Sequence, residues 1–268
     1  HDIDLAETLA AQAGVSCQRA RLIEHYVQKQ QMAQALQIAR EIQRDLLPQE
    51  QPDVAGYDIA GFNESADETG GDIYDFRALP DGRLLTVVAD ASGHGVGPAM
   101  VIAEARAMLR ACSIDNCHLP HLLATTNRLL AEDLSGRFVT CFLGLLDPAA
   151  NRMTWASAGH APIVFYDSAA DKFSSLAATG MPLAILPDGD FDEVQSFEFK
   201  TGDFVAITTD GFFEAADALG ADFGIDTMLE VFQAHRDRSA ADMIGQLHRE
   251  VMAFVGDMPQ ADDLTAVL

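Results

Sequence analysis

The sequence predicts an α+β fold built on antiparallel sheets, and two observations lead there. Short apolar runs recur along the chain and are joined by turns such as Pro80-Asp81-Gly82 and Asp147-Pro148-Ala149-Ala150-Asn151, the chemistry of hairpins between antiparallel neighbours. Helical stretches arrive in pairs between blocks of strands. A doubly wound parallel sheet would instead place one helix after each strand.

The first element is a helix. From about Ser16 to Leu47 the chain lacks Gly and Pro and is rich in Gln, Ala, Arg, Leu and Ile. Within it Met32, Ala35, Ala39, Ile42 and Leu46 are spaced as a heptad seam, which fades upstream at His25 and Gln28. A short coiled coil between two copies satisfies that spacing, and so does an amphipathic helix packed on its own domain. Pro48 ends the helix and a polar linker follows to Asp53. Residues 1–47 are therefore expected to form a helical linker with dimerising capacity, and residues 48–268 one globular domain.

Strands are predicted over Tyr57–Asn63, Gly70–Leu79 and Arg83–Ala89, the last two forming a hairpin. A helix pair follows, at about Gly97–Cys112 and Leu119–Leu134. Phe138–Leu146 with Arg152–Ser157, and Pro162–Tyr166 with Lys172–Leu176, read as two further hairpins. Glu193–Phe199 and Asp203–Thr208 read as strands joined by a turn at Lys200-Thr201-Gly202. Helices return at about Thr227–Ala234 and Ala240–Val255, and Leu264–Leu268 is a closing strand. There is no internal repeat.

Bulk composition excludes several functions. The 268 residues are 49% hydrophobic and 22% charged, which is ordinary for a globular protein with a sizeable core. The net charge of −24 is not ordinary. It repels nucleic-acid backbones and anionic membranes, and it suits a protein that gathers divalent cations, while serving solubility equally well. No apolar run is long enough to cross a bilayer, and no signal peptide opens the chain. The first residue is His and not Met, so the chain is read as part of a longer protein. Cys17, Cys112, Cys117 and Cys141 lack the spacing of a disulfide framework, and a reduced, cytoplasmic setting is expected. Cys112, Cys117, His118 and His121 cluster in sequence without matching a zinc motif, and no metal is expected there.

Carboxylates carry the chemistry. Leu84–Ala89 runs into Asp90, Phe204–Thr209 runs into Asp210, Asp262 and Asp263 precede Leu264–Leu268, and Asp72 follows Gly70-Gly71. A strand end beside a Gly turn holds a carboxylate out of the core in a fixed direction. Several together form an all-oxygen site suited to Mg²⁺ or Mn²⁺. Two ions sharing a carboxylate can activate a water and clamp a phosphoryl group. Taken singly, each Asp is equally well a turn residue or helix cap, as Asp81, Asp147 and Asp203 are expected to be. Ser92 lies in Asp-Ala-Ser-Gly-His-Gly, which is neither a nucleophile elbow nor a phosphate-binding P-loop.

Seven stretches in order carry a resemblance: Ala39–Pro48 (AREIQRDLLP), Asp67–Phe76 (DETGGDIYDF), Ala89–Gly95 (ADASGHG), Ser157–Pro162 (SAGHAP), Gly180–Ile185 (GMPLAI), Thr208–Ala215 (TTDGFFEA) and Asp262–Thr265 (DDLT). Together they resemble the PPM family of metal-dependent serine/threonine phosphatases, in its bacterial SpoIIE/RsbU-type branch. The resemblance implies a PPM-type β-sandwich of two antiparallel sheets flanked by helix pairs. It implies removal of phosphate from phosphoserine or phosphothreonine by a metal-bound water, with no side chain as nucleophile. Asp90 would bridge two or more Mn²⁺ or Mg²⁺ ions with help from the Ala91 carbonyl. Asp210 and Asp262 would complete one shell, with Asp263 as the alternative to Asp262, and Asp72 would serve the other ion. His94 comes four residues after Asp90, where eukaryotic members place a general-acid His two residues after, so the general acid is left open. His160 is expected to be structural, at most behind the site. The arginine that those enzymes place near phosphate has no evident match. By resemblance the partners are a phosphorylated protein, typically an anti-anti-sigma factor, an upstream sensor or receiver domain, and a second copy through the N-terminal helix. A PPM-like fold acting as a non-catalytic effector is the alternative. A binuclear phosphodiesterase would need a His-rich ligand set that is absent here.

Overall fold

The computed structural model describes residues 2–112, 117–134 and 136–268, with the side chains of residues 2–11, 13, 15 and 17 left aside. Cys17 therefore lies outside the described side chains.

Among the described residues ten strands form two antiparallel sheets. One holds β2 (Asp72–Ala78), β3 (Leu84–Ala91), β4 (Val139–Asp147), β5 (Arg152–Ala158) and β8 (Gln195–Glu198), in that spatial order. The other runs β1 (Gly61–Glu64), β10 (Leu264–Val267), β9 (Phe204–Thr208), β6 (Ile163–Asp167) and β7 (Lys172–Leu176). Alternation within each strand sends one set of side chains inward. Leu84, Val88, Phe142, Trp155, Val205, Ile207 and Val267 fill the space between the sheets. The opposite set faces helices. Leu85, Val87 and Ala89 pack with α2 (Val96–Cys112) and α3 (Leu119–Asp133). Ala206, Leu264 and Ala266 pack with α5 (Ile225–His235) and α6 (Ala240–Val255). The sandwich flanked by helix pairs is the architecture expected from the sequence.

Several elements differ from expectation for identifiable reasons. The first strand begins only at Gly61, because Val54 and Tyr57 close a tight turn upstream. Strands β8 and β9 do not form a hairpin. The turn between them exists, with Asp203 N donating to Lys200 O at 3.0 Å, but it carries the chain from one sheet to the other. Turn chemistry is the same in both cases, and only the burial of both faces decides which sheet each strand joins. A single helical turn, α4 (Asp210–Phe213), follows β9 and was not foreseen.

Helix α1 runs from Asp2 to Leu46, well upstream of Ser16. The one glycine in that stretch, Gly14, costs about 1 kcal/mol relative to Ala, too little to stop a long helix. Its last turns settle on the domain through a stripe of Leu36, Ala39, Gln43 and Leu46, while Met32 and Ile42 stay 60% exposed. The heptad residues thus divide. Ala39 and Leu46 face the domain, and Met32, Ala35 and Ile42 face solvent together with Leu22, Ile23, Tyr26 and Val27.

Candidate active site

The carboxylates singled out in the sequence come together at one end of the sandwich, from both sheets. Asp72 and Asp90 are direct cross-strand partners on β2 and β3. Asp210 opens α4 where β9 ends, and Asp262 precedes β10, the hydrogen-bonded neighbour of β9. One contact that joins the two sheets here is the Thr209 hydroxyl donating to Asp72 Oδ2 at 2.7 Å. Close backbone approach is a condition of this assembly. A Cβ at Gly71 would lie 2.6 Å from the Ala91 carbonyl oxygen, and one at Gly211 only 2.0 Å from that of Asp263. Ala91 N in turn donates to Gly71 O at 2.9 Å, which fixes the Ala91 peptide beside Asp72.

The adjacent acids Asp262 and Asp263 take opposite environments. Asp263 is 2% exposed, and its carboxylate accepts from the backbone N–H groups of Ala66 (2.8 Å), Gly71 (2.6 Å) and Asp72 (3.3 Å). It is a fastener that holds the Asp72 loop. Asp262 is exposed, caps only the N–H of Asp263 at 2.8 Å, and lies near enough to Asp90 and Asp210 to repel both.

The electrostatics are those of a crowded anionic cluster. Burial, followed by repulsion from Asp210 and Asp262, pushes Asp90 up to about 7. Burial first, then Asp90 and Asp263, push Asp72 well above the usual carboxylate range, against the Thr209 hydroxyl. Asp210 is raised by burial and by Asp262, and Asp263 is raised chiefly by burial. No Lys or Arg forms an ion pair with Asp72, Asp90, Asp210 or Asp262 among the described residues. Contrast Asp75, three residues from Asp72, which is as buried but neutralised by Arg106 (3.2 Å) and Arg110 (2.5 Å). Among the described residues no three His, Cys, Asp or Glu groups already stand close enough to enclose an ion. The cluster is nevertheless all oxygen, and it lacks a counter-charge of its own. That donor set fits hard divalent cations.

The two histidines separate. His94 is exposed, and its Nδ1 lies 2.7 Å from Asp67 Oδ2, a contact that raises its pKa. His160 is buried, with Nδ1 3.0 Å from the Thr140 hydroxyl; Thr140 is the cross-strand partner of Asp90. Burial lowers His160 to about 4, and the Thr208 carbonyl lies near enough to oppose the shift without meeting hydrogen-bond geometry at Nε2. It is a neutral strut between β4 and β9. Asp81, Asp147 and Asp203 accept from backbone N–H groups in their own turns.

Three residues at the site escaped sequence reasoning. Thr209 stands beside Asp210 in the Thr208–Ala215 stretch, so its position was visible and its role was not. Gln43 of α1 exchanges a pair of hydrogen bonds with Gly70, its Nε2 donating to Gly70 O (2.5 Å) and its Oε1 accepting from Gly70 N (3.0 Å). The helix thereby grips the loop that presents Asp72. Arg137, two residues before β4, lays its guanidinium over the first turn of α2, 3.1 Å from where a Gly97 Cβ would be. It is an exposed cation beside the start of α2, in the segment that leads into β4.

Comparison with known proteins gives a consistent picture. A family model described as Stage II sporulation protein E matches residues 80–268. The chain is 24% identical over 242 residues to the phosphoserine phosphatase RsbU of Bacillus subtilis, covering 90% of this chain and 71% of RsbU. It is 25% identical over 260 residues to protein IcfG of Synechocystis, covering 87% of this chain but only 40% of IcfG. Among solved structures, the SiaA-PP2C domain of Pseudomonas aeruginosa superposes with a TM-score of 0.79 at 22% identity, over 89% of this chain and 96% of that one. The PP2C phosphatase domain of SpoIIE from Bacillus subtilis does so with 0.66 at 20% identity, over 79% and 62%. These structural likenesses establish a PP2C-type fold, and the family match over most of the chain places it: this protein belongs to the SpoIIE family.

Proposed function

We propose that the chain is a metal-dependent protein serine/threonine phosphatase, with residues 48–268 as the catalytic domain. The observation that carries this reading is the group of Asp72, Asp90, Asp210 and Asp262, drawn from distant segments and left without an internal counter-charge. Such a cluster destabilises the fold unless cations occupy it. Asp90, Asp72, Asp210, Asp262 and the Ala91 carbonyl are the groups that would hold two or more Mn²⁺ or Mg²⁺ ions. Bound there, the ions supply Lewis-acid activation of water and charge neutralisation at a phosphoryl group. The protein's own part is positioning. Asp263 and Gln43 fix the loop of Asp72, Thr209 orients the Asp72 carboxylate, and Arg137, beside the start of α2, offers a planar donor fork for a phosphate. The named activity of RsbU supports this reading.

The proposed substrate is a phosphorylated bacterial regulatory protein of the anti-anti-sigma type. The setting is cytoplasmic, where Cys112, Cys117 and Cys141 remain free thiols. No described helix is long and apolar enough to cross a membrane. Residues 1–47 are proposed to connect the domain to an upstream sensor or receiver and to pair with a second copy. The exposed Leu22, Ile23, Tyr26, Val27, Met32 and Ile42 of α1 support this pairing.

The test is phosphate release from an aryl phosphate and from a phosphoserine protein, with and without Mn²⁺. Release is expected only with metal, and Asp90→Ala or Asp210→Ala should each abolish it while the protein stays folded. Full activity in both variants would remove this assignment. No metal-dependent release from any substrate would favour a binding effector.

A further inference from the structure

At the end of the sandwich away from the carboxylates, the two sheets part around a cavity of about 660 Å³. That is the size of a small-molecule site, and it opens to solvent at one side. Its floor is the inner face of both sheets: Leu146 and Met153 from one, Val205, Ile207 and Val267 from the other. Thr86 of β3 places a hydroxyl among them. Thr86 is four residues from Asp90 along the same strand, about 13 Å at the usual rise, so this site is separate from the anionic centre.

The mouth has the opposite character. Lys200, Arg236 and Arg238 stand around it with exposed side chains, three of only 17 basic residues in the chain. The two acids at the same mouth are already engaged. Asp58 accepts from Ala240 N at 2.8 Å, at the start of α6, and Asp203 accepts from Ser168 N and Lys200 N, both at 2.8 Å. Arg236 donates from one guanidinium nitrogen to Gln233 O at 2.7 Å, and its one carboxylate partner among the described residues, Asp171, lies 3.8 Å away. In a molecule of net charge −24, screening confines the general repulsion of anions to roughly 8 Å at physiological salt. What an incoming ligand meets at this mouth is therefore local: three cations set against the two hydrogen-bonded carboxylates, an excess of one positive charge.

An apolar slot ending in a basic rim matches a ligand with an apolar tail and one anionic head. We propose that this cavity is a binding site for an acyl carboxylate of medium chain length, its tail between the sheets and its head on Lys200, Arg236 and Arg238. The site stands apart from the phosphatase reading, and it holds or fails without it.

The experiment uses the whole chain with dodecanoate as the probe. Calorimetry should show saturable binding near one ligand per chain. Acetate and inorganic phosphate, heads without tails, should not bind here, and a neutral dodecyl maltoside should bind at least about tenfold more weakly. In methyl NMR with labelled methionines, Met153 and Met243, which both line the cavity, should shift on titration, while the exposed Met100, Met181 and Met258 should not. The double surface variant Lys200→Glu, Arg238→Glu should weaken binding by tenfold or more with an unchanged circular dichroism spectrum. Absence of saturable binding would overturn the proposal. So would shifts at other methionines instead, or equal affinity for the maltoside and the carboxylate that the Glu variant leaves untouched.

Discussion

The neighbouring acids Asp262 and Asp263 give the sharpest test of the site, because one reading assigns them opposite tasks. Asp263→Ala strands two buried donors, Gly71 N and Asp72 N, and the part-buried Ala66 N. Two of its contacts, at 2.6 and 2.8 Å, are short enough to be charge-assisted, and the third, at 3.3 Å, is weak. Hydrogen bonds to a charged group contribute about 1.5–3 kcal/mol each, so the two short ones represent about 3–6 kcal/mol. Part of that is returned, since the variant no longer buries a carboxylate beside Asp72 and Asp262. A net loss of about 3 kcal/mol is expected, which for a chain of this size lowers Tm by about 6–12 °C. Asp263→Asn keeps a carbonyl acceptor and should fall between. Asp262→Ala removes an exposed side chain with one local hydrogen bond and relieves repulsion, so its stability should stay within about 1 kcal/mol of the parent. Its Mn²⁺ uptake should fall sharply. The assays are urea unfolding with EDTA present and calorimetric titration with Mn²⁺. If Asp263→Ala is as stable as the parent and loses metal, while Asp262→Ala binds metal normally, the two roles have been assigned the wrong way round.

Four further outcomes are expected. Asp72, Asp90, Asp210 and Asp263 all have raised pKa values in the fold, so the native state binds more protons than the unfolded chain from about pH 4 to about pH 7. Metal-free stability should therefore fall as pH rises through that window, by up to about 4 kcal/mol for Asp90 alone. Asp90→Asn should flatten the fall measured in EDTA, and an unchanged slope in that variant would contradict the shift. Gln43→Ala should loosen the Gly70 loop, seen as faster amide exchange at Gly70–Asp72 and turnover reduced about tenfold; unchanged exchange would show that α1 does not restrain the loop. Arg137→Ala should raise KM for a phosphoprotein about tenfold with little change in kcat, and an unaltered KM would remove Arg137 from the substrate's path. Deleting residues 1–47 should shift the mass measured by light scattering toward a monomer, whereas an unchanged mass would place any self-association elsewhere.

Much of this was legible because it is local. Hairpin turns at Pro80–Gly82 and Asp147–Asn151 fixed their strand pairs without reference to the rest of the chain. Asp72 and Asp90 end opposite each other because the hairpin register of β2 and β3 leaves no alternative. What escaped prediction was non-local. Gln43 and Gly70 are 27 positions apart, and neither residue type announces a partner. Arg137 lies on a loop with no periodicity, and only its approach to Gly97 shows where its charge sits. The heptad spacing of α1 fitted two geometries equally, and only the folded domain shows that Ala39 and Leu46 lie on the side of the helix that packs against it, together with Leu36 and Gln43.

Alternating apolar residues, turn chemistry and carboxylates at strand ends are written into the chain one neighbour at a time, and they settled the α+β class, the strand pairs and the set of acids worth watching. Which sheet receives β8 and which β9, and which of two adjacent aspartates is buried, depend on surfaces that exist only once both sheets have closed on each other. Asp262 and Asp263 are chemically identical in sequence. Packing gave one three backbone donors and left the other in water, and that difference in solvation separates a structural anchor from a candidate ligand.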